Sequence, residues 1–307
     1  MMTALARFIS YLRDELRYSP NTVEAYRRDI ESWLEHFGDS RPIEAATQAD
    51  IRSYIAAEAK SGLSIASLRR RCVALRSLFR FLMHEGTITA NPVSGINPGR
   101  LPKRLPVNVK PEETASMLDG MAENDGDFTA VRNRLIMEML YETGMRSAEI
   151  MGLRDDQVDT RRQELRVLGK RNKERIIPFG ASLAGLIDEY REARLMPGGP
   201  GAADPGQPMF VRPDGRPLYR KLVYNIVHSA MSDAGVHATR LSPHVMRHSF
   251  ATDMLSGGAA LNSVQQLLGH ASLATTQIYT HISLEELRKN YAAAHPRASH
   301  HNQKYNP

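Results

Sequence analysis

Tyr279 lies nine residues after His270 in the run Leu267-Leu268-Gly269-His270-Ala271-Ser272-Leu273-Ala274-Thr275-Thr276-Gln277-Ile278-Tyr279-Thr280-His281. A phenol just downstream of a Gly-His turn, with a His-x-x-Arg pair (His244, Arg247) further upstream, is suited to act as a covalent nucleophile toward a phosphodiester. A lone tyrosine at such a place is ordinarily a core residue at a helix end. Tyr279 is not alone. Arg146, in Thr143-Gly144-Met145-Arg146-Ser147-Ala148-Glu149-Ile150, and Lys170, in Gly169-Lys170-Arg171-Asn172-Lys173-Glu174-Arg175, complete a set of cationic and hydrogen-bonding groups able to hold a pentavalent phosphate.

His244 and Arg247 are three apart, so on a helix they share a face and can both reach one phosphate. A rival reading takes His244 and His248 as zinc ligands of the His-Glu-x-x-His kind. Val245 stands where that motif needs glutamate and an arginine lies between the histidines, which argues against a metal. In a third reading, His244, His248 and His270 are satisfied structural histidines, and the spacing of His248 adds nothing that the others lack.

These residues need elements to position them, and 307 residues suit two compact domains, each able to bury a core. The single cysteine, Cys72, cannot form an internal disulfide and falls in an apolar helical row, which points to a reducing cytoplasm. The first forty residues are charged throughout, and no apolar run approaches the roughly 18 residues of a membrane span, so neither signal peptide nor anchor is expected. The net charge is +6, and residues 1–110 hold 17 Lys and Arg against 11 Asp and Glu, while residues 111–307 hold 23 of each. A basic amino-terminal module joined to a charge-balanced one suggests that the first grips a polyanion and the second acts more specifically.

Residues 1–90 read as four helices. Leu5, Phe8, Ile9, Leu12 and Leu16 recur at helical spacing; Ser19-Pro20 then supplies an N-cap and a proline at the first helical position. That second helix runs on Val23, Tyr26, Ile30, Trp33, Leu34 and Phe37 to Gly38, and Thr47 with Asp50 resembles a capping box opening the third. In the fourth, from Ser64 to Gly86, Leu68, Cys72, Leu75, Phe79 and Leu82 form one stripe. Arg69, Arg76 and Arg80 fall within about 40° of arc on a neighbouring face, with Arg70 and Arg71 beside them, which fits a helix laid along or into a DNA groove, a merely solvated face being the alternative.

Residues 91–110 carry five prolines or glycines after Asn91-Pro92 and read as a linker, whose Arg100, Lys103, Arg104 and Lys110 are available to backbone phosphates. Helix resumes at Pro111, with Leu135, Ile136, Met139 and Leu140 as a core face, and residues 164–168 and 174–178 read as two strands whose turn carries Lys170. Met196 to Pro208 reads as a mobile surface loop. Ser242-Pro243 restarts a helix, the second domain runs to 294, and residues 295–307, without an apolar pattern, are expected to be a disordered tail.

Thr-Gly-Met-Arg at 143–146, Gly-Lys-Arg-Asn-Lys-Glu-Arg at 169–175, Ser-Pro-His-Val-Met-Arg-His-Ser-Phe-Ala-Thr at 242–252, Leu-Leu-Gly-His at 267–270 and Thr-Thr-Gln-Ile-Tyr-Thr-His at 275–281 resemble the signature boxes of the tyrosine recombinases, and of their bacterial Xer subgroup in particular. With Ser19-Pro20-Asn21-Thr22, the resemblance covers nearly the whole chain; the ending Tyr291-Ala292-Ala293-Ala294-His295-Pro296-Arg297-Ala298 looks more like the XerC branch than the XerD branch. Met145 and Met246 stand where leucine is more usual, a volume-conserving exchange.

The resemblance implies a mainly α fold: a helical, SAM-like core-binding domain and a mixed, mostly helical catalytic domain with a small antiparallel sheet, closing as a C-shaped clamp on duplex DNA. It implies that Arg146 and Arg247 hold the scissile phosphate and that His244 and His270 bond the same oxygens or help move the nucleophile's proton. Lys170, with Lys173 as the alternative, would protonate the departing 5′ hydroxyl, and Tyr279 would form a 3′-phosphotyrosyl link, with no cofactor, metal or ATP. The implied task is strand exchange through a Holliday junction that resolves chromosome dimers at a dif-like site. The implied partners are a tetramer of this chain or of it with a XerD-like paralogue, and a septal DNA translocase; the segment from Ser283, a helix N-cap, to Ala294 carries Leu284, Leu287 and Tyr291 at helical spacing and would dock on a neighbouring subunit, with packing in its own subunit as the alternative. A mobile-element integrase or resolvase of the same chemistry, and a DNA-binding regulator with vestigial boxes, are the alternatives.

Overall fold

The computed structural model describes residues 3–38, 40–99, 109–122, 127–169, 174–202, 206–236, 241–269 and 283–298. Lys170, Lys173, His270 and Tyr279, like Arg100, Lys103 and Arg104, lie outside them. The chain divides into two compact units, residues 1–105 and 106–307.

The first unit holds α1 (Ala4–Ser10), which runs into a π-helical turn (Tyr11–Glu15), then α2 (Pro20–Phe37), α3 (Gln48–Lys60) and α4 (Ile65–His84). Local sequence sets these boundaries. Ser19 Oγ accepts from the Thr22 amide at 3.2 Å, and Pro20 opens α2 without sacrificing a needed donor. At α3 the box closes in both directions, the Thr47 amide donating to Asp50 Oδ2 at 2.7 Å. Hydrogen bonds from Thr47, reinforced by Arg41 and opposed by burial, pull the Asp50 carboxyl down to about 2. The apolar stripes meet in one core, where Trp33 stacks on Phe37 (ring centroids 4.9 Å apart) and meets Phe79 edge-on at 5.4 Å.

Two expectations change here. Leu16 is 41% exposed, because the first helix ends at Glu15 and Leu16 is only its cap. Val93 and Ile96, placed in the linker, are buried in the first core, so packing continues beyond residue 90. Asn91 turns the chain back: its side-chain nitrogen donates to Arg76 O and its oxygen accepts from the Val93 amide, both at 3.0 Å.

The second unit comprises α5 (Pro111–Ala122), α6 (Phe128–Thr143), α7 (Ser147–Met151), β1 (Val158–Asp159), β2 (Glu164–Leu168), β3 (Glu174–Pro178), α8 (Ala181–Leu195), α9 (Arg220–Asp233), α10 (Pro243–Ser256), α11 (Leu261–Leu268) and α12 (Leu284–Ala294). The strands form an antiparallel sheet in the order β1-β2-β3, with Glu164 opposite Pro178 and Leu168 opposite Glu174. The expected core face of α6 is buried, and so are Met137, Tyr141, Glu138 and Glu142, because α5, α8, α9 and α10 surround the helix.

The carboxyl-terminal segment departs most from expectation. Leu287, Tyr291 and Ala294 of α12 lie in the core of their own unit, against α10 and β3, which is the alternative to docking on a neighbouring subunit. Residues 295–298, assigned to a disordered tail, are also packed. His295 is 1% exposed and stacks on Tyr291 with ring centroids 5.1 Å apart, while Arg297 bonds Glu138 and donates to Asp119 Oδ1 at 2.6 Å. Rings and charges hold this segment, which is why apolar periodicity gave no sign of it. Burial, and then the neighbouring Glu138, push the Glu142 carboxyl up to about 8, and its Oε2 accepts from the Tyr291 hydroxyl at 3.1 Å. Burial also pushes the His295 imidazole down to about 4, so it packs as a neutral ring.

Candidate active site

The site begins where α6 stops. Gly144 caps the helix in the left-handed region (φ 59°), and a Cβ there would stand 2.4 Å from Phe250 Cδ1 and 2.9 Å from Leu268 Cδ2. Only glycine both turns the chain and lets α10 and α11 approach this closely. Gly144→Ala is therefore expected to destabilise the second unit by about 3 kcal/mol, combining left-handed strain with overpacking. Urea unfolding checks this; a change below about 0.5 kcal/mol would contradict it.

The turn delivers Arg146 to the N-cap of α7. Its amide donates to Glu149 Oε2 at 2.8 Å and its Nη1 to Glu149 Oε1 at 2.9 Å. Arg247, on α10, is 8% exposed; its Nη1 donates to Gly144 O and its Nη2 to Leu268 O at 2.6 Å. Arg175, on β3, grips both Glu149 oxygens, Nη1 to Oε1 at 3.0 Å and Nη2 to Oε2 at 2.8 Å.

A single helix end ties these arginines together. Three successive carbonyls at the end of α11 accept one arginine each: Leu267 O from Arg175 Nε at 2.8 Å, Leu268 O from Arg247 Nη2, and Gly269 O from Arg146 Nη2 at 3.4 Å. A helix leaves its last carbonyls unpaired and carries partial negative charge there, so cations are favoured. Gly269, left-handed at φ 62°, directly precedes His270.

Three guanidiniums around one carboxylate leave positive charge in excess. Burial, then Arg146, lowers Arg247 to about 10, with Arg175 acting the same way and Glu149 opposing; it stays protonated at neutral pH. For Glu149, burial acts upward, but hydrogen bonds from Arg175 and Arg146 outweigh it and hold the carboxyl below its ordinary range. The result is a fixed carboxylate among cations still able to take a further anion.

Of the residues expected from sequence, Arg146 and Arg247 are brought together. His244 lies on α10 one turn before Arg247 and is exposed, whereas His248 is half-buried with Nε2 unbonded. Among the described residues no cluster of three or more His, Cys, Asp or Glu side chains is placed to hold a metal. Glu149 and Arg175 were missed, although Glu149 sits at capping-box distance from Arg146 and Arg175 closes a motif already singled out.

On α4, Arg69 and Arg80 are exposed, while Arg76 is half-buried and donates to Ile96 O at 3.3 Å. Arg70 and Arg71, expected to flank this row, are engaged within the unit, Arg70 with Asp29 and Arg71 with Glu58 at 2.8 Å.

A helical unit followed by a mostly helical unit with a small antiparallel sheet, in which Arg146, Arg175 and Arg247 converge on one helix end, is the architecture of the integrase-type strand-transfer enzymes. Residues 108–286 match the phage integrase family and residues 5–86 the phage integrase N-terminal SAM-like domain. The chain belongs to that family, the tyrosine recombinases, and is a site-specific DNA recombinase. It is 36% identical to tyrosine recombinase XerC of Haemophilus influenzae (strain PittEE), over 97% of this chain and 99% of that one. It is also 36% identical to tyrosine recombinase XerD of Corynebacterium glutamicum, over 95% and 97% of the two chains. In fold it is similar to the Tn1549 transposon integrase solved with transposon right end DNA (TM-score 0.70, 20% identity, 94% of this chain and 98% of that one). No helix among the described residues is long and apolar enough to cross a membrane.

Proposed function

We propose that this chain, in the cytoplasm, cuts and rejoins duplex DNA through a 3′-phosphotyrosyl link on Tyr279 and a Holliday junction, and that it resolves chromosome dimers at cell division. The observation that carries the reading is the arrangement of Arg146 and Arg247 on adjacent carbonyls of the turn leading into His270. Two guanidinium forks there can take the non-bridging oxygens of one phosphate and offset the charge that develops as it becomes pentavalent.

In this reading the Tyr279 oxygen forms a bond to phosphorus as the bond to the 5′ oxygen breaks. The phenol proton leaves with help from His244 or His270, and Lys170, or Lys173 in its place, supplies a proton to the departing 5′ hydroxyl. The phosphotyrosyl link conserves the energy of the broken diester, so a 5′ hydroxyl of another strand reverses the step without ATP. Positive charge from two arginines and a lysine takes the role that a metal ion plays in other phosphoryl-transfer sites. Each chain brings one such tyrosine and two duplexes need four cleavages, so the working assembly is a tetramer, of this chain alone or with a XerD-like paralogue, brought to a dif-like site with the help of a septal DNA translocase.

The first unit, including residues 1–90, supplies the grip on DNA and the second the chemistry. Because Arg69 and Arg80 are the exposed arginines of the α4 row, replacing both by alanine is expected to reduce the salt dependence of DNA binding by about two units of log-log slope. An unchanged slope with lost sequence preference would mean that they read bases instead.

The function is tested on a supercoiled plasmid with two Xer-type sites. Conversion into two smaller circles is expected, with EDTA present and without ATP. Relaxation of the plasmid alone, or a reaction stopped by EDTA and restored by magnesium, would refute the reading.

A further inference from the structure

We infer that Arg175 is a positioning residue of the strand-cutting reaction: it occupies Glu149 so that Arg146 keeps donors for the phosphate, and it fastens the α11 turn that precedes His270. The inference rests on the recombinase reading above and assigns a task to a residue with no direct part in it.

Arg175 spends its whole guanidinium on the protein. Its side chain is 9% exposed, and each of its three nitrogens donates inside the protein, to the two Glu149 oxygens and to Leu267 O. Arg146, by contrast, has a side chain that is 29% exposed and gives the same carboxylate only its Nη1 and its backbone amide. A carboxylate prefers a two-pronged guanidinium partner. Were Arg175 absent, Glu149 would be free to take Arg146 in that way, drawing it down onto α7 and neutralising the charge the phosphate needs. Arg175 therefore decides which arginine the carboxylate saturates.

The second task is mechanical. Arg175 links β3, α7 and the end of α11, the three elements that carry or adjoin the Lys170 turn, Arg146 and His270. It also lies against Gly269: a Cβ there would be 3.2 Å from Arg175 Cδ and Nη1. Side chain and glycine backbone thus fit closely just before His270, where a small displacement is costly to a reaction that depends on alignment.

The test uses the full chain and a nicked suicide substrate carrying an Xer-type site, with covalent adduct as readout. Arg175→Gln is expected to slow adduct formation by about 100-fold while changing affinity for the intact site by less than about twofold. Arg175→Lys, which keeps the charge but spans fewer acceptors, is expected to lose about tenfold and serves if the glutamine variant does not fold. Adding Glu149→Gln to Arg175→Gln removes the unpaired carboxylate, and about tenfold of the lost rate should return. A merely structural arginine would give no such recovery. Adduct formation at the wild-type rate in both single variants, or a double variant no faster than Arg175→Gln, overturns the inference while the recombinase reading stands. A wild-type chain that forms no adduct overturns both.

Discussion

Arg247→Lys is expected to lower covalent strand cleavage by about 100- to 1,000-fold, with binding of the intact site changed far less. Arg247 is buried and does two things at once. Its nitrogens hold Gly144 O and Leu268 O, joining the end of α6 to the end of α11, and in the proposed reaction the same planar group also holds the phosphate. Lysine carries the charge but is a point donor and cannot span two carbonyls and a phosphate oxygen in one plane. One carbonyl would lose its partner in a buried place, costing about 1–3 kcal/mol of stability in addition to the catalytic loss. Adduct yield over time on a suicide substrate, with gel shift for affinity and a thermal melt for folding, separates these effects. Cleavage within about threefold of wild type would show that Arg247 serves the fold and not the phosphate.

Tyr279→Phe should have the largest effect of any single change. It deletes one oxygen and leaves the ring, so packing and DNA affinity should persist while cleavage disappears. The loss should be complete: removal of an electrostatic stabiliser leaves residual catalysis, whereas removal of the atom that forms the bond leaves none. A variant that still forms adduct on a nicked site would point to another nucleophile.

The reason some elements were legible and others were not lies in the kind of interaction that makes each. Helix starts at Ser19, Thr47, Ser64 and Ser283 could be read because capping is a local exchange between a side chain and the next turn. The β2-β3 hairpin followed from two β-branched or aliphatic runs around a polar turn. The exposure of Leu16 depends on where a π-helical turn ends the helix, which apolar spacing alone does not encode. Residues 295–298 looked unstructured because Arg297 is held by Glu138 and Asp119 and His295 packs on Tyr141 and Phe250, long-range partners that no periodicity announces.

The same distinction runs through the site. Arg146, His244 and Arg247 stood out as residue types at meaningful spacing, but Glu149 and Arg175 become visible only once β3, α7 and α11 converge. On α4 the opposite error arose. Arg70 and Arg71 were read with the free basic row, yet Asp29 and Glu58 from other helices claim them, and helical geometry within one element cannot reveal what a neighbouring helix offers.

The most direct measurement is to trap the covalent product of the wild-type chain on a nicked Xer-type site, digest it, and sequence the DNA-linked peptide by mass spectrometry. The expected product is the peptide containing Tyr279, joined through its phenolic oxygen to a 3′ phosphate. A link to any other residue, a link to a 5′ phosphate, or cleaved DNA without attached protein would contradict the assignment of Tyr279 as the nucleophile.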